Sequence, residues 1–185
     1  VLEKQSKRLQ KLTEDLIEAS KASTGNITVN IMPNDLHELL EQAVGEYSDR
    51  FDACKLEIVT SIPESARSVM ADGRLLWRVF SNLFSNLVKY AQPETRVYIN
   101  SVRTIDNNIM ISIKNVSREA LNISAEELTQ RFVRGDESRH SEGSGLGLNI
   151  VENLVHLQNG YFNIVIDGDL FSTNIILPAK PEEVP

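Results

Sequence analysis

The chain has 185 residues, is 41% hydrophobic and carries a net charge of -7, which suits one compact core. The acidic balance argues against a nucleic-acid surface, where Lys and Arg should cluster. The single cysteine, Cys54, excludes an intramolecular disulfide and fits a reducing compartment. No apolar run approaches the roughly 20 residues of a membrane span, and no signal peptide is visible. The chain starts without Met and inside a helical pattern, so it is expected to be a piece of a longer protein.

Residues 1–24 read as a helix whose seam of Leu2, Leu9, Leu12, Leu16 and Ala19 is narrow and flanked by charged residues. That spacing favours a dimer or bundle helix over a solvated helix on the domain's own surface. "STGN", residues 23–26, supplies turn chemistry and a boundary, dividing the chain into 1–24, a main domain over 25–180 and a tail over 181–185. "ITVNI", residues 27–31, alternates like a short strand. Asp35 and Glu38 form a capping box for a helix through Phe51, with Leu36, Leu39, Leu40, Ala43, Val44 and Tyr47 as its buried stripe.

"KLEIVTSI" reads as a strand, and Asp72 caps a helix over about 73–91. Two alternating strands, "RVYINSV" and "NIMISIKN", are joined by the turn signal "DNN". Residues 117–142 are polar, with a short helix expected near 125–130. A helix over 145–158 follows, stopped at Asn159 and Gly160. The pair "YFNIVID" and "LFSTNIILP" forms a hairpin across Gly168 and Asp169. The expected class is α+β, a two-layer sandwich of one mixed sheet with helices on one face and an N-terminal helix in front.

Two stretches point to chemistry. In "DGRLLWRVFSNLFSNLVKYA", at about 100° per residue, Leu76, Phe80, Leu83 and Leu87 share one side. Asn82, Asn86 and Lys89 share another, with Tyr90 at the border. Two asparagines on a wet helix face can be filler, but Asn is a poor helix former and here a lysine and a tyrosine join them. An amide carbonyl suits a hydrated divalent cation, and Lys supplies a point charge for phosphate. The second stretch, Gly143, Ser144, Gly145, Leu146, Gly147 and Leu148, opens a helix, where unpaired N–H groups and the dipole favour a phosphate. It fails the dinucleotide fingerprint and the Walker pattern. The alternative is a plain glycine-rich loop in front of a core helix.

These stretches, in this order and about 60 residues apart, resemble the sensor histidine kinases. "NLFSNLVKYA" is similar to their N box, "RFVRGDESR" to the F box and entrance of the ATP lid, and "GSGLGLNIV" to the second glycine box. The resemblance spans residues 34–178 and implies the catalytic ATP-binding domain of the GHKL superfamily, with residues 1–24 matching the second helix of the dimerisation and phosphotransfer hairpin. It implies that Asn86 ligates Mg²⁺, Lys89 touches phosphate and Tyr90 stacks near adenine. It further implies that Phe132 anchors the lid and Arg134 reaches the triphosphate or the partner helix. The glycines Gly143, Gly145 and Gly147 would close the lid over the phosphates of ATP, with Ser144, Leu146 and Leu148 in the same cradle. Asn82 stands where ATP-hydrolysing relatives place a water-activating Glu; a neutral amide cannot be a general base, so kinase is favoured over hydrolase.

Two departures accompany the resemblance. The first glycine box should fall near residue 115, but "KNVSREALN" puts Asn115 where the adenine-reading Asp belongs, with no glycines behind it. Adenine recognition through an Asn carbonyl is expected to be weaker. The phospho-accepting His is also absent: His37, His140 and His156 lack its sequence context and are expected in surface or packing roles. The acceptor is then a His on the chain's own or a dimer mate's hairpin helix, with relay to a response regulator. The resemblance implies a homodimeric full-length protein, anchored in a membrane with this domain on the cytoplasmic side. A pseudokinase that works as a binding module, and a protein-serine kinase of the same superfamily, are the alternatives.

Overall fold

The computed structural model describes residues 27–121 and 147–181. The helix expected over 1–24, the short one near 125–130, and Phe132, Arg134, His140, Gly143, Ser144, Gly145 and Leu146 lie outside the described residues. So does most of the tail.

The elements run β1 (Met32–Asp35), α1 (Leu36–Ala53), β2 (Glu57–Ser61), a 3₁₀ turn (Glu64–Ala66), β3 (Ser68–Ala71), α2 (Gly73–Tyr90), β4 (Arg96–Arg103), β5 (Asn108–Val116), α3 (Gly147–His156), β6 (Tyr161–Asp167) and β7 (Leu170–Pro178). Five strands form one sheet in the order β2-β4-β5-β7-β6, with β2 parallel to β4 and every other pair antiparallel. Strand periodicity sends alternate side chains to opposite faces. On the helix side, Ile99 stands opposite Ile113 and Ile111 opposite Ile175, and Phe162 opposite Ile175 carries the apolar layer to the edge. These residues are buried against stripes of all three helices.

Helix α1 starts where Asp35 Oδ1 accepts the amides of His37 and Glu38 at 2.9 and 3.2 Å, as the capping pattern predicts. Its other carboxylate oxygen takes Arg67 Nε at 2.7 Å. Leu36, Leu40, Ala43, Tyr47 and Phe51 are fully buried, while Leu39 and Val44 are only partly so. Tyr47 and Phe51 meet Phe84 of α2 edge-on at 5.7 and 5.5 Å between ring centroids, and the Tyr47 hydroxyl donates to the Ser81 carbonyl at 2.9 Å. Aromatic geometry and one satisfied hydroxyl thus hold α1 on α2.

One expectation needs correction. Residues 27–31 form no strand; the strand lies a few residues later, over Met32–Asp35, and pairs with the unforeseen β3 in a second, two-stranded sheet. Alternation alone does not make a strand when the available ladder partner lies elsewhere. β3, four residues long, is in turn held to the end of β7 by a Val69–Ala179 bridge and by the Lys180 amide on Ser68 O at 3.1 Å.

Helix α3 ends as expected at Asn159, which adopts φ 59°, and Gly160, whose amide returns to Val155 O at 3.0 Å. A side chain at Gly160 would strike the Ile176 carbonyl at 2.7 Å, so glycine is required there by close approach to the sheet.

Asp72 caps α2 and is 2% exposed. Its Oδ1 accepts the Arg74 and Leu75 amides at 3.0 and 3.4 Å, and its Oδ2 accepts the Asn30 amide and Arg74 Nη2 at 3.0 Å each. Burial by itself raises its pKa, but the Asn30 amide, the Arg74 guanidinium and the Leu75 amide outweigh it and hold the group below its ordinary 3.8. A folded-state pKa depressed in this way stabilises the fold above the unfolded value and loses that contribution as pH falls through the folded value. Asp72→Ala is therefore expected to lower stability at pH 7 by about 2 kcal/mol, through the lost cap and an orphaned Asn30 amide. Asp72→Asn should flatten the loss of stability below about pH 4, because it removes the titrating group. Urea titrations from pH 3 to 7 check both.

Candidate functional site

The site is built between two antiparallel helices. Their apolar faces meet through Leu76, Val79, Phe80 and Leu83 of α2 and Ile150, Val151 and Leu154 of α3, all buried in the common core. The predicted segregation on α2 is present: Leu76, Phe80, Leu83 and Leu87 are buried, whereas Asn82 and Asn86 are half-buried and Lys89 and Tyr90 exposed.

Both asparagines face the start of α3. A Cβ added at Gly147 would lie 3.5 Å from Asn86 Oδ1, 3.7 Å from Asn82 Oδ1 and 3.8 Å from Asn86 Nδ2. Asn82 Nδ2 donates to Arg78 O at 2.9 Å within its own helix, which orients the amide. Two side-chain amides thus stand against the first described turn of α3, toward its N-terminal end. The dipole adds positive potential there, and amide oxygens suit a hard cation beside an anion. Gly147 sits in an ordinary helical conformation, and an alanine there would make only normal contacts with the asparagines. Backbone strain therefore does not explain the glycine; its closeness to the two amides is what a side chain there would change.

Leu148 is 5% exposed and belongs to the core, so only its backbone faces the site. Asn115 ends the helix-side row that runs Ile109, Ile111, Ile113 along β5, and is 6% exposed. Its Nδ2 donates to Val116 O at 3.0 Å, which leaves the side-chain carbonyl as its acceptor end. The end of β5 is stitched to the end of α2: Ala91 bridges Ser117, Gln92 N donates to Val116 O and Arg118 N to Tyr90 O, both at 2.8 Å. Tyr90 and Asn115 consequently occupy one corner, beyond Asn86 along α2.

His37 lies 3.6 Å from Glu41 on the surface of α1, and His156 is exposed at the end of α3, in keeping with the surface roles expected of them. One polar contact escaped sequence reasoning. Gln158, fully buried, accepts the Asp72 amide on Oε1 at 2.9 Å and donates from Nε2 to Leu154 O at 2.8 Å. The two residues are 86 positions apart, and a single glutamine after a helix carries no local signal of such a partner.

A mixed sheet covered on one face by the three described helices, with paired amides set against a glycine of α3, is a two-layer α+β domain. The family profile described as histidine kinase-, DNA gyrase B- and HSP90-like ATPase matches residues 71–181, well over half of the chain, and the chain belongs to this family. It is 33% identical over 156 residues to the sensor histidine kinase HprS of Escherichia coli (strain K12), a match that covers 82% of this chain and 32% of that protein. It is 32% identical over 154 residues to the signal transduction histidine-protein kinase BaeS of the same strain, with the same coverage of 82% and 32%. The chain thus spans about a third of the length of these curated relatives.

Among solved structures, the Acinetobacter baumannii histidine kinase AdeS superposes with a TM-score of 0.80 at 20% identity, covering 97% of this chain and 83% of that one. Full-length ShkA in complex with AMPPNP superposes with a TM-score of 0.77 at 20% identity, covering 95% and 37%. At such identities these likenesses speak for the fold.

If the amides opposite Gly147 serve a ligand, stability and binding should separate at this residue. Gly147→Ala is expected to leave the melting temperature unchanged or slightly raised, because Ala is the better helix former by up to about 1 kcal/mol. The same variant should weaken nucleotide binding about tenfold or more, because its methyl group stands against the Asn82 and Asn86 amides. Thermal melts and ADP titrations on the variant check the two halves.

Proposed function

We propose that this chain is the catalytic domain of a sensor histidine kinase: it binds ATP with Mg²⁺ and donates the γ-phosphoryl to a His on the hairpin helix of the full-length dimer, for relay to a response regulator. The observation that carries this is the pair Asn82 and Asn86 facing Gly147 at the start of α3.

Mg²⁺ retains waters and takes one or two protein ligands together with substrate phosphates. Among the described residues no three His, Cys, Asp or Glu gather into a cage. The single amide oxygen of Asn86 fits a cation held mainly by the triphosphate, and the ion would neutralise charge there. Lys89, one turn further along α2, would add a point charge for phosphate, and Tyr90 with Asn115 would receive the adenine in the corner they share. Gly143, Gly145 and Gly147 would bring backbone against the phosphates, with Phe132 and Arg134 in the lid between them and β5.

Asn82 decides between transfer and hydrolysis. Its nitrogen is engaged with Arg78 O, and an amide does not abstract a proton from water. Transfer to a neutral imidazole needs positioning and charge neutralisation rather than a base. The acceptor would be presented by the longer protein, anchored in a membrane with this domain on its cytoplasmic side.

Calorimetric titration of ADP and of a non-hydrolysable ATP analogue, with and without Mg²⁺, tests the proposal. Binding that requires Mg²⁺ is expected, weakened on the order of 10- to 100-fold in Asn86→Ala. Absence of binding at millimolar nucleotide would overturn it and leave a binding module. With the hairpin supplied, the phosphate should appear in an acid-labile form on His; acid-stable phosphate on Ser would point to a serine kinase.

A further inference from the structure

We propose that Gln158 is a positioning residue for the nucleotide site, acting through Asp72 to set how far α3 slides along α2; this rests on the nucleotide reading above. The two helices are in contact at both ends. At one end Gly147 faces Asn82 and Asn86, and at the other Gln158 holds the Asp72 amide at 2.9 Å. Between these ends the interface is apolar. Apolar contact is non-directional and names no particular pair of atoms. A hydrogen bond is directional and, when both partners are buried, costly to leave unmade.

Gln158 is fully buried, and both ends of its amide are used: Oε1 on the Asp72 amide, Nε2 on Leu154 O of its own helix. It therefore joins the last turn of α3 to the residue that caps α2. Asp72 is itself immobilised by the amides of Asn30, Arg74 and Leu75, so the joint has a fixed side. Gln158 lies in the turn that follows α3 and is tied to its last turn through Leu154 O, and from there to Gly147 the helix is a rod of about 1.5 Å per residue. A shift at the joint is thus delivered undiminished to the glycine facing Asn86. Phosphate and cation contacts tolerate little displacement, since a 1 Å misplacement can cost on the order of 100-fold in a well-built site. The same carboxylate holds Asn30, so the segment leading into the domain is fastened to the joint as well.

The test uses Gln158→Met, which keeps the length and bulk but makes neither hydrogen bond, beside Ile111→Val, a small cavity in β5 on the sheet that serves as a stability control. Two measurements are made on wild type and both variants at a temperature where all are folded. The first is NMR of the Asn82 and Asn86 side-chain amides and the backbone amides of residues 147–150, without nucleotide. These signals are expected to shift in Gln158→Met and to stay in place in Ile111→Val. The second is ADP affinity with Mg²⁺, expected to fall about tenfold in Gln158→Met and to be unchanged in Ile111→Val.

Unshifted NMR signals in Gln158→Met, or an affinity loss equal in the two variants, would overturn the assignment. If wild type binds no nucleotide, the proposed function falls while the NMR arm still decides whether Gln158 sets the helix register. Should Gln158→Met not fold, Gln158→Glu takes its place, since it retains the acceptor for the Asp72 amide. Recovery of the wild-type NMR positions as that glutamate protonates would support the role, and their displacement at every pH would not.

Discussion

A buried carboxylate with every acceptor position in use is the constraint on which the domain turns. Asp72 takes four donors and offers its own amide to a fifth partner, although it is almost wholly withdrawn from water. An unpaired carboxylate in that place would be strongly destabilising, so the surrounding segments must arrive together or not at all. They are the segment at Asn30, the first turn of α2 and the end of α3. Helices and sheet share the buried apolar core, yet burial alone does not say which way a helix turns its polar side chains. What makes α2 present its asparagines in one direction is the cap at its start, the aromatic contacts with α1 and the stitching of its end to β5.

Within that frame the two faces of α2 have separate duties. The Leu76, Phe80, Leu83 and Leu87 face is bound to the core, so the Asn82 and Asn86 face has to look along the crevice toward α3. The amide pair therefore owes its aim to hydrophobic packing on the neighbouring face of the same helix. This division also explains why an unstrained glycine opens α3: any side chain there would stand between the amides and whatever the helix start attracts.

Much of this was legible in the sequence, for reasons that differ by element. Asp35 and Asp72 announce caps because a short acceptor side chain before an apolar 3.6-residue pattern has few other uses. The strands β4 to β7 alternate cleanly because one face is buried and one is wet. The crevice itself was legible only through the order of two motifs, since nothing local in "NLFSNLVKYA" states that its amides will meet a glycine 61 positions on. The failures have the same root. β1 and β3 are short and pair with each other across 36 residues, so neither is specified by its own pattern, and residues 27–31 alternate without a ladder to join. The contact of Gln158 with Asp72 spans a still longer separation, and the local pattern around neither residue names the other.

Asn115 shows how structure and ligand recognition can draw on one side chain. An aspartate at the end of the Ile109, Ile111, Ile113 row would be an acceptor only. It could not donate to Val116 O, and its charge would sit at a buried position. The asparagine present instead gives its nitrogen to that carbonyl, which also receives Gln92 N from the end of α2. The side chain thereby helps close the seam between β5 and α2 that the missing glycines would otherwise have left to a loop. The cost falls on binding: a neutral carbonyl accepts from an adenine amino group less strongly than a carboxylate does. On the proposed reading, a neutral tie in place of a charged reader leaves the corner by Tyr90 less attractive to a base. The phosphate end, where Asn86 faces Gly147, is then left to supply a larger share of any nucleotide affinity.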